Sequence, residues 1–226
     1  KRYKKRRYKR KRKTASVPRI LGGFPVKKLV KLKYAQEIVL AGTSAGIVQH
    51  QFRCNSVFDP DFTGTGHQPM NFDRWANLYD HYTVMSSVCK VSPVATQNTS
   101  NLIPGYMGVM VSTDSGGTST LANVVSLFEN KLTSHKYMQV GNAAGVARQW
   151  LASGVKSYFN AKRIFGIVDP QDGAAYGSIV TDSPARDAYF NVYLASCGGN
   201  TPANITALVE ITYTVLFDEL ITQTQN

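Results

Sequence analysis

Alternation of apolar and polar positions is the strongest signal in this chain. Near the C-terminus, Ile205, Ala207, Val209, Ile211, Tyr213, Val215 and Phe217 interleave with Thr206, Leu208, Glu210, Thr212, Thr214, Leu216 and Asp218. A period of two sends the first set to one face, which predicts a long half-buried strand. Phe190, Val192 and Leu194, interleaved with Tyr189, Asn191 and Tyr193, predict another strand just before it. Toward the other end, Val30, Leu32 and Tyr34 alternate with Lys31 and Lys33 and lead into Ile38-Val39-Leu40, predicting a third. Weaker strand patterns cover residues 47–54, 82–94, 105–112, 136–140 and 146–153.

Helical spacing is scarce. Leu121, Val124, Val125 and Phe128 share one face of a short helix within residues 120–131, and residues 72–79 are expected to form a helical turn with Asn71 as N-cap. Turn-forming residues mark the connections: a turn over 42–46, a loop over 59–69, and a long loop over 165–184 that is long enough to serve a function or an interface. About eight strands with irregular connections predict an all-β fold, an antiparallel sandwich for which a single eight-stranded jelly roll is a natural solution. Periodicity leaves the strand order open.

The charge pattern changes the picture. The chain begins Lys1, Arg2, Tyr3, Lys4, Lys5, Arg6, Arg7, Tyr8, Lys9, Arg10, Lys11, Arg12, Lys13, with eleven cations and no acid. No fold buries such a run without stranding charge, so it stays solvated or meets a polyanion. Residues 1–33 hold sixteen Lys or Arg and no Asp or Glu, whereas residues 34–226 hold ten basic and fourteen acidic residues, a net of −4. Pro18, Gly22, Gly23 and Pro25 then make a breaker-rich connector. The expected organisation is a disordered basic N-terminal arm and linker over residues 1–25 and one β domain over 26–226. Extended, the arm reaches roughly 80 Å. Its Lys and Arg suit phosphate contact, and Tyr3 and Tyr8 can stack on unpaired bases at about 1–3 kcal/mol each. A nuclear-import signal or a solubilising tail would use the same residues.

Other chemistry finds little support. The 226 residues are 43% hydrophobic and contain no run of eighteen apolar residues, so neither a membrane span nor, without a signal-peptide layout, secretion is expected. Cys54, Cys89 and Cys197 are too few and too scattered for a disulfide framework or a zinc site, and buried reduced thiols are expected. His50, His67, His81 and His135 show no ligand spacing. Gly64-Thr65-Gly66 lacks the following Lys-Ser/Thr of a phosphate loop. Asp59, Asp61 and Asp73 offer oxygen ligands of the kind calcium takes, but capping of turn amides is the favoured role for them. No catalytic constellation, metal site or cofactor is expected.

One stretch carries a resemblance. Asn55-Ser56-Val57-Phe58-Asp59-Pro60-Asp61-Phe62-Thr63-Gly64-Thr65-Gly66-His67-Gln68-Pro69-Met70-Asn71-Phe72-Asp73, followed by Tyr79 and Tyr82-Thr83-Val84, resembles the capsid proteins of small circular Rep-encoding single-stranded DNA viruses, the circovirus-like group. The resemblance implies a jelly roll of which about sixty copies close into an icosahedral shell. The basic arms would face a single-stranded DNA genome, or RNA in a small RNA virus. It also implies a virion location, passage into the host nucleus through import machinery, and an unspecified cell-surface receptor. The arm here is shorter and richer in lysine than in the best-known circoviruses. With sixteen charges on each of about sixty subunits, the lumen would hold on the order of a thousand cations, enough to offset much of a small genome. A ribosomal or other RNA-binding protein with a basic tail is the alternative, and a carbohydrate-binding jelly roll ranks below both.

Overall fold

A computed structural model of the chain describes residues 20–21, 23–43, 46–94, 103–120, 123–140, 154–198 and 204–222. Its strands are β1 (Ile20–Leu21), β2 (Phe24–Pro25), β3 (Lys28–Leu40), β4 (Ile47–Arg53), β5 (Tyr79–Val94), β6 (Ile103–Ser112), β7 (Thr133–Val140), β8 (Val155–Asn160), β9 (Gly177–Ile179), β10 (Tyr189–Ser196) and β11 (Ile205–Leu220). Its helices are α1 (Phe72–Ala76), α2 (Val124–Glu129) and α3 (Ala161–Phe165). None of them is long and apolar enough to cross a membrane.

Eight of the strands pair in nested fashion. β6 with β7 is the innermost hairpin, β5 with β8 surrounds it, β4 with β10 comes next, and β3 with β11 is outermost, every pair antiparallel. The chain is thus one long hairpin, and rolling it brings β11 beside β5 and β10 beside β6. The resulting sheet orders are β3-β11-β5-β8 and β4-β10-β6-β7. That is a jelly roll. β9 pairs with β5 antiparallel beyond the stretch that β8 covers, and β1 with β2 makes a separate two-stranded ribbon.

Register places the alternating residues where their polarity sends them. Ile211 lies between Tyr34 of β3 and Cys89 of β5, and Tyr213 between Leu32 and Ser87. Tyr213, Val215 and Phe217 are fully buried, and a large apolar side chain buried this way stabilises the fold by about 1.5–3 kcal/mol. Cys54 and Cys89 sit in the same core as free thiols, and burial pushes both well up from their ordinary titration range.

The second sheet departs from simple alternation. All eight residues of β10 are buried. Phe190, Val192 and Leu194 face the main core, whereas Tyr193 and Ala195 join Met110 and Leu127 in a smaller cluster beneath α2. Buried Asn191 is satisfied there: it donates to the Met110 carbonyl (3.2 Å) and Ser112 Oγ (2.9 Å) and accepts from Gln51 Nε2 (2.7 Å). The helix expected within 120–131 therefore roofs this sheet, with the Asn123 side chain accepting from Ser126 N at its start.

One local expectation needs correction. Asn71 stands before α1 but in the left-handed region (φ 69°), and its side chain makes no capping bond. The turn is instead closed by the Phe72 amide donating to the Pro69 carbonyl (3.0 Å). The strand expected over 146–153 lies outside the described residues; the strand that pairs with β5 is β8, where Val155, Ser157 and Phe159 point inward.

Candidate nucleic-acid interface

The thirteen arm residues expected to bind nucleic acid, 1–13, lie outside the described residues. What the structure defines is the root from which they extend. Pro25 at the end of the ribbon accepts a hydrogen bond from Tyr79 Oη (2.6 Å). Lys27 Nζ donates to Gln171 Oε1 (2.9 Å) and pairs with Asp218 (3.4 Å), which also meets His81 Nδ1 (3.0 Å). The chain is thereby fastened to β5, to the end of β11 and to the 170s loop before β3 begins.

From that root β3 runs along the edge of the first sheet, and among the described residues no helix roofs the outward face of this sheet as α2 roofs the other. Leu29, Lys31, Lys33, Ala35, Glu37 and Val39 all point outward and are exposed. Across the strands, Lys33 is level with Thr212 and Val88, while Glu210 is level with Lys90, which faces Lys156. Glu210 is clamped by Lys33 (2.5 Å) and Lys90 (3.0 Å), and their hydrogen bonds hold its carboxyl below the ordinary range. These partners are 177 and 120 residues apart in the chain, so no local signal announces them.

The loop that carries the resemblance is organised by Asp61, which is fully buried. Its carboxylate accepts from Thr63 N (3.0 Å), Thr63 Oγ1 (2.9 Å) and Gln36 Nε2 (2.9 Å), and lies 3.0 Å from His50 Nε2. Burial alone would raise this carboxyl; the bonds from Thr63, the nearby His50 and the Gln36 amide outweigh it and hold it below its ordinary value. Gln36 in turn accepts from Tyr34 Oη, and the His67 ring packs on the Tyr34 ring at 4.6 Å. His67 has one ring nitrogen 2.8 Å from the Gln68 carbonyl and the other 3.0 Å from that of Ala35 in β3. The whole segment is tied to the inner side of β3 and β4.

This geometry decides the role of the acidic residues. Asp59 is held by Arg53 (2.6 Å), which also reaches Asp187 (3.3 Å) and stacks over Phe62. Asp61 is spent on its own turn. Among the described residues no three His, Cys, Asp or Glu side chains converge as a metal would require, and Asp59, Asp61 and Asp73 form no ligand set. His81 meets Asp218 and His135 packs on Phe128 at 4.2 Å, each engaged apart from the Asp61 network that holds His50 and borders His67.

No family model matches the chain, and no curated protein matches it in sequence. Solved structures do match. A chain of Cocksfoot mottle virus superposes with a TM-score of 0.50 at 9% identity, over 96% of this chain and 97% of that one. The two share a fold. Also similar are the nodavirus-like particle of the giant freshwater prawn Macrobrachium rosenbergii (TM-score 0.48, 8% identity, 88% and 98% covered) and the 60-mer BFDV capsid protein (0.41, 10%, 88% and 97%).

Proposed function

We propose that this chain is a viral coat protein that assembles into a small icosahedral shell and packages a single-stranded DNA genome through residues 1–13. The observation that carries the reading is segregation: a jelly-roll body whose fourteen basic and fourteen acidic residues over 26–226 balance and, rooted at one sheet of it, an arm with eleven of the chain's 26 cations and no acid. Shared fold with the Cocksfoot mottle virus chain supports the body's part in this. Large apolar side chains at the body's surface, including Val168 (90% exposed) and Val125 of α2 (63%), supply contacts for neighbouring copies. The arm binds without base specificity, Lys and Arg meeting phosphates and Tyr3 and Tyr8 stacking on bases. The same basic run serves import into a host nucleus, and the loops offer surface to a cell receptor.

Electron microscopy of the purified full chain tests the proposal. About sixty domains of this size close into a uniform particle roughly 20 nm across. Nuclease typing of the extracted nucleic acid should identify single-stranded DNA. A stable monomer at high concentration would instead favour a basic-tailed RNA-binding protein.

A further inference from the structure

We infer that the bare face and free edge of the β3 sheet form a second, structured contact for the phosphate backbone of a single strand, continuing from the arm's root. Three concavities meet at Lys33. One, of about 550 Å³, runs along β3 past Lys31 to Arg74 and Trp75 of α1; one, of about 310 Å³, crosses the sheet past Lys90 and Glu210 to Lys156; the third, of about 510 Å³, opens toward His67. Five cations, Lys31, Lys33, Arg74, Lys90 and Lys156, thus border the first two, and Glu210 is the acid among their lining residues. Glu37 lies farther along β3 on the same face.

This is a local excess of cations on a body whose charges otherwise balance. Residues 26–226 hold fourteen basic and fourteen acidic residues, and Asp59, Asp187 and Asp218 lie elsewhere, the first two around Arg53 and the third beside Lys27. Among the described residues Lys31, Arg74 and Lys156 have no carboxylate partner, so their charge is available to a polyanion. From Lys33 on β3 to Lys156 on β8 the track crosses three strand spacings, about 14 Å.

The first groove also holds what a base would use. Trp75 is half-buried, backed by Phe217 at 5.9 Å, and Met70 beside it is 78% exposed. An aromatic ring held from behind and a soft thioether next to three cations match the stacking and phosphate contacts that non-specific single-strand binders combine. The arm reaches this groove without a long excursion, because β3 begins where the root ends.

The inference rests on the coat-protein reading for its cargo, and the test separates the two. Binding of a fluorescein-labelled oligothymidylate to the full chain is followed by anisotropy across a salt series. The wild type is compared with Lys31→Gln/Lys156→Gln and with a charge-matched control at the opposite sheet, Lys131→Gln in the turn before β7 with Lys136→Gln within β7. The first pair should flatten the logarithmic salt slope by about 1.4, or about 0.7 for each phosphate no longer neutralised, and the control should leave it unchanged. None of the four side chains is buried, and matching thermal melts verify folding. Photocrosslinking with an iododeoxyuridine-containing strand should label Trp75. An unchanged slope, an equal drop in both pairs, adducts confined to residues 1–13, or loss of particles with normal binding would overturn the track; the last outcome would make the groove a contact between copies. Failure of the wild type to bind would sink the coat-protein cargo as well.

Discussion

Gly66 approaches Asp61 so closely that a Cβ at position 66 would lie 2.7 Å from the Asp61 Cβ, and 2.7 Å from Tyr34 Oη. Neither neighbour can yield, because Asp61 is fixed by its turn and Tyr34 is bonded to Gln36. Gly66→Ala is therefore expected to destabilise the domain by about 1–3 kcal/mol. Gly64, with φ 72° and open space around it, should lose only about 1 kcal/mol on the same change, through backbone strain alone. Urea denaturation of the two variants checks the order.

Asp61 also makes stability depend on pH. Its folded-state carboxyl titrates below the ordinary value of 3.8, so its contribution is fully present above about pH 4 and is lost as pH falls through the depressed folded-state value. Asp61→Asn should lower stability at neutral pH by about 1–3 kcal/mol and flatten this acid limb. Parallel unfolding curves for wild type and variant from about pH 2.5 to about pH 7, which brackets the ordinary carboxylate range, provide the measurement.

Glu210 bridges Lys33 and Lys90 on the exposed sheet, its single charge offsetting one of their two. The clamp is at the surface, so Glu210→Gln should alter stability by less than about 1 kcal/mol. Removing its one negative charge should nevertheless steepen the salt slope of single-strand binding by about 0.7. The anisotropy titration reads that change directly.

Removal of residues 1–13 takes away eleven cations and none of the described core. Particles of the shortened chain should show the ultraviolet absorbance ratio of protein alone, with an unchanged melt of the body. Collapse of the fold would show that the leader belongs to the domain.

The sandwich is legible in the sequence because its strands alternate so regularly. β3 and β11 can be traced almost residue by residue, and the loop over 59–69 is marked by Pro60, Gly64, Gly66 and Pro69. β10 is legible as a strand but not as a doubly buried one, since its second covering comes from α2, some sixty residues earlier in the chain. β8 is hidden because Ser157 interrupts the apolar face of a six-residue strand. Asn71 misleads because its preference for helix starts and its tolerance of positive φ are both real, and the turn uses the second.

Consecutive residues alone settle two things: where the chain alternates, and that its cations lead while its acids follow. Both are local properties, and burial or solvation acts on them wherever the strand ends up. Which lysines share Glu210, which loop buries Asp61 and which sheet stays bare are settled only by closure of the nested hairpin. The partners of Glu210 are joined by register across more than a hundred residues, so no short window along the chain contains both ends of that contact; Asp61 meets Thr63, His50 and Gln36 within 25 residues, but only the fold turns those side chains toward one another.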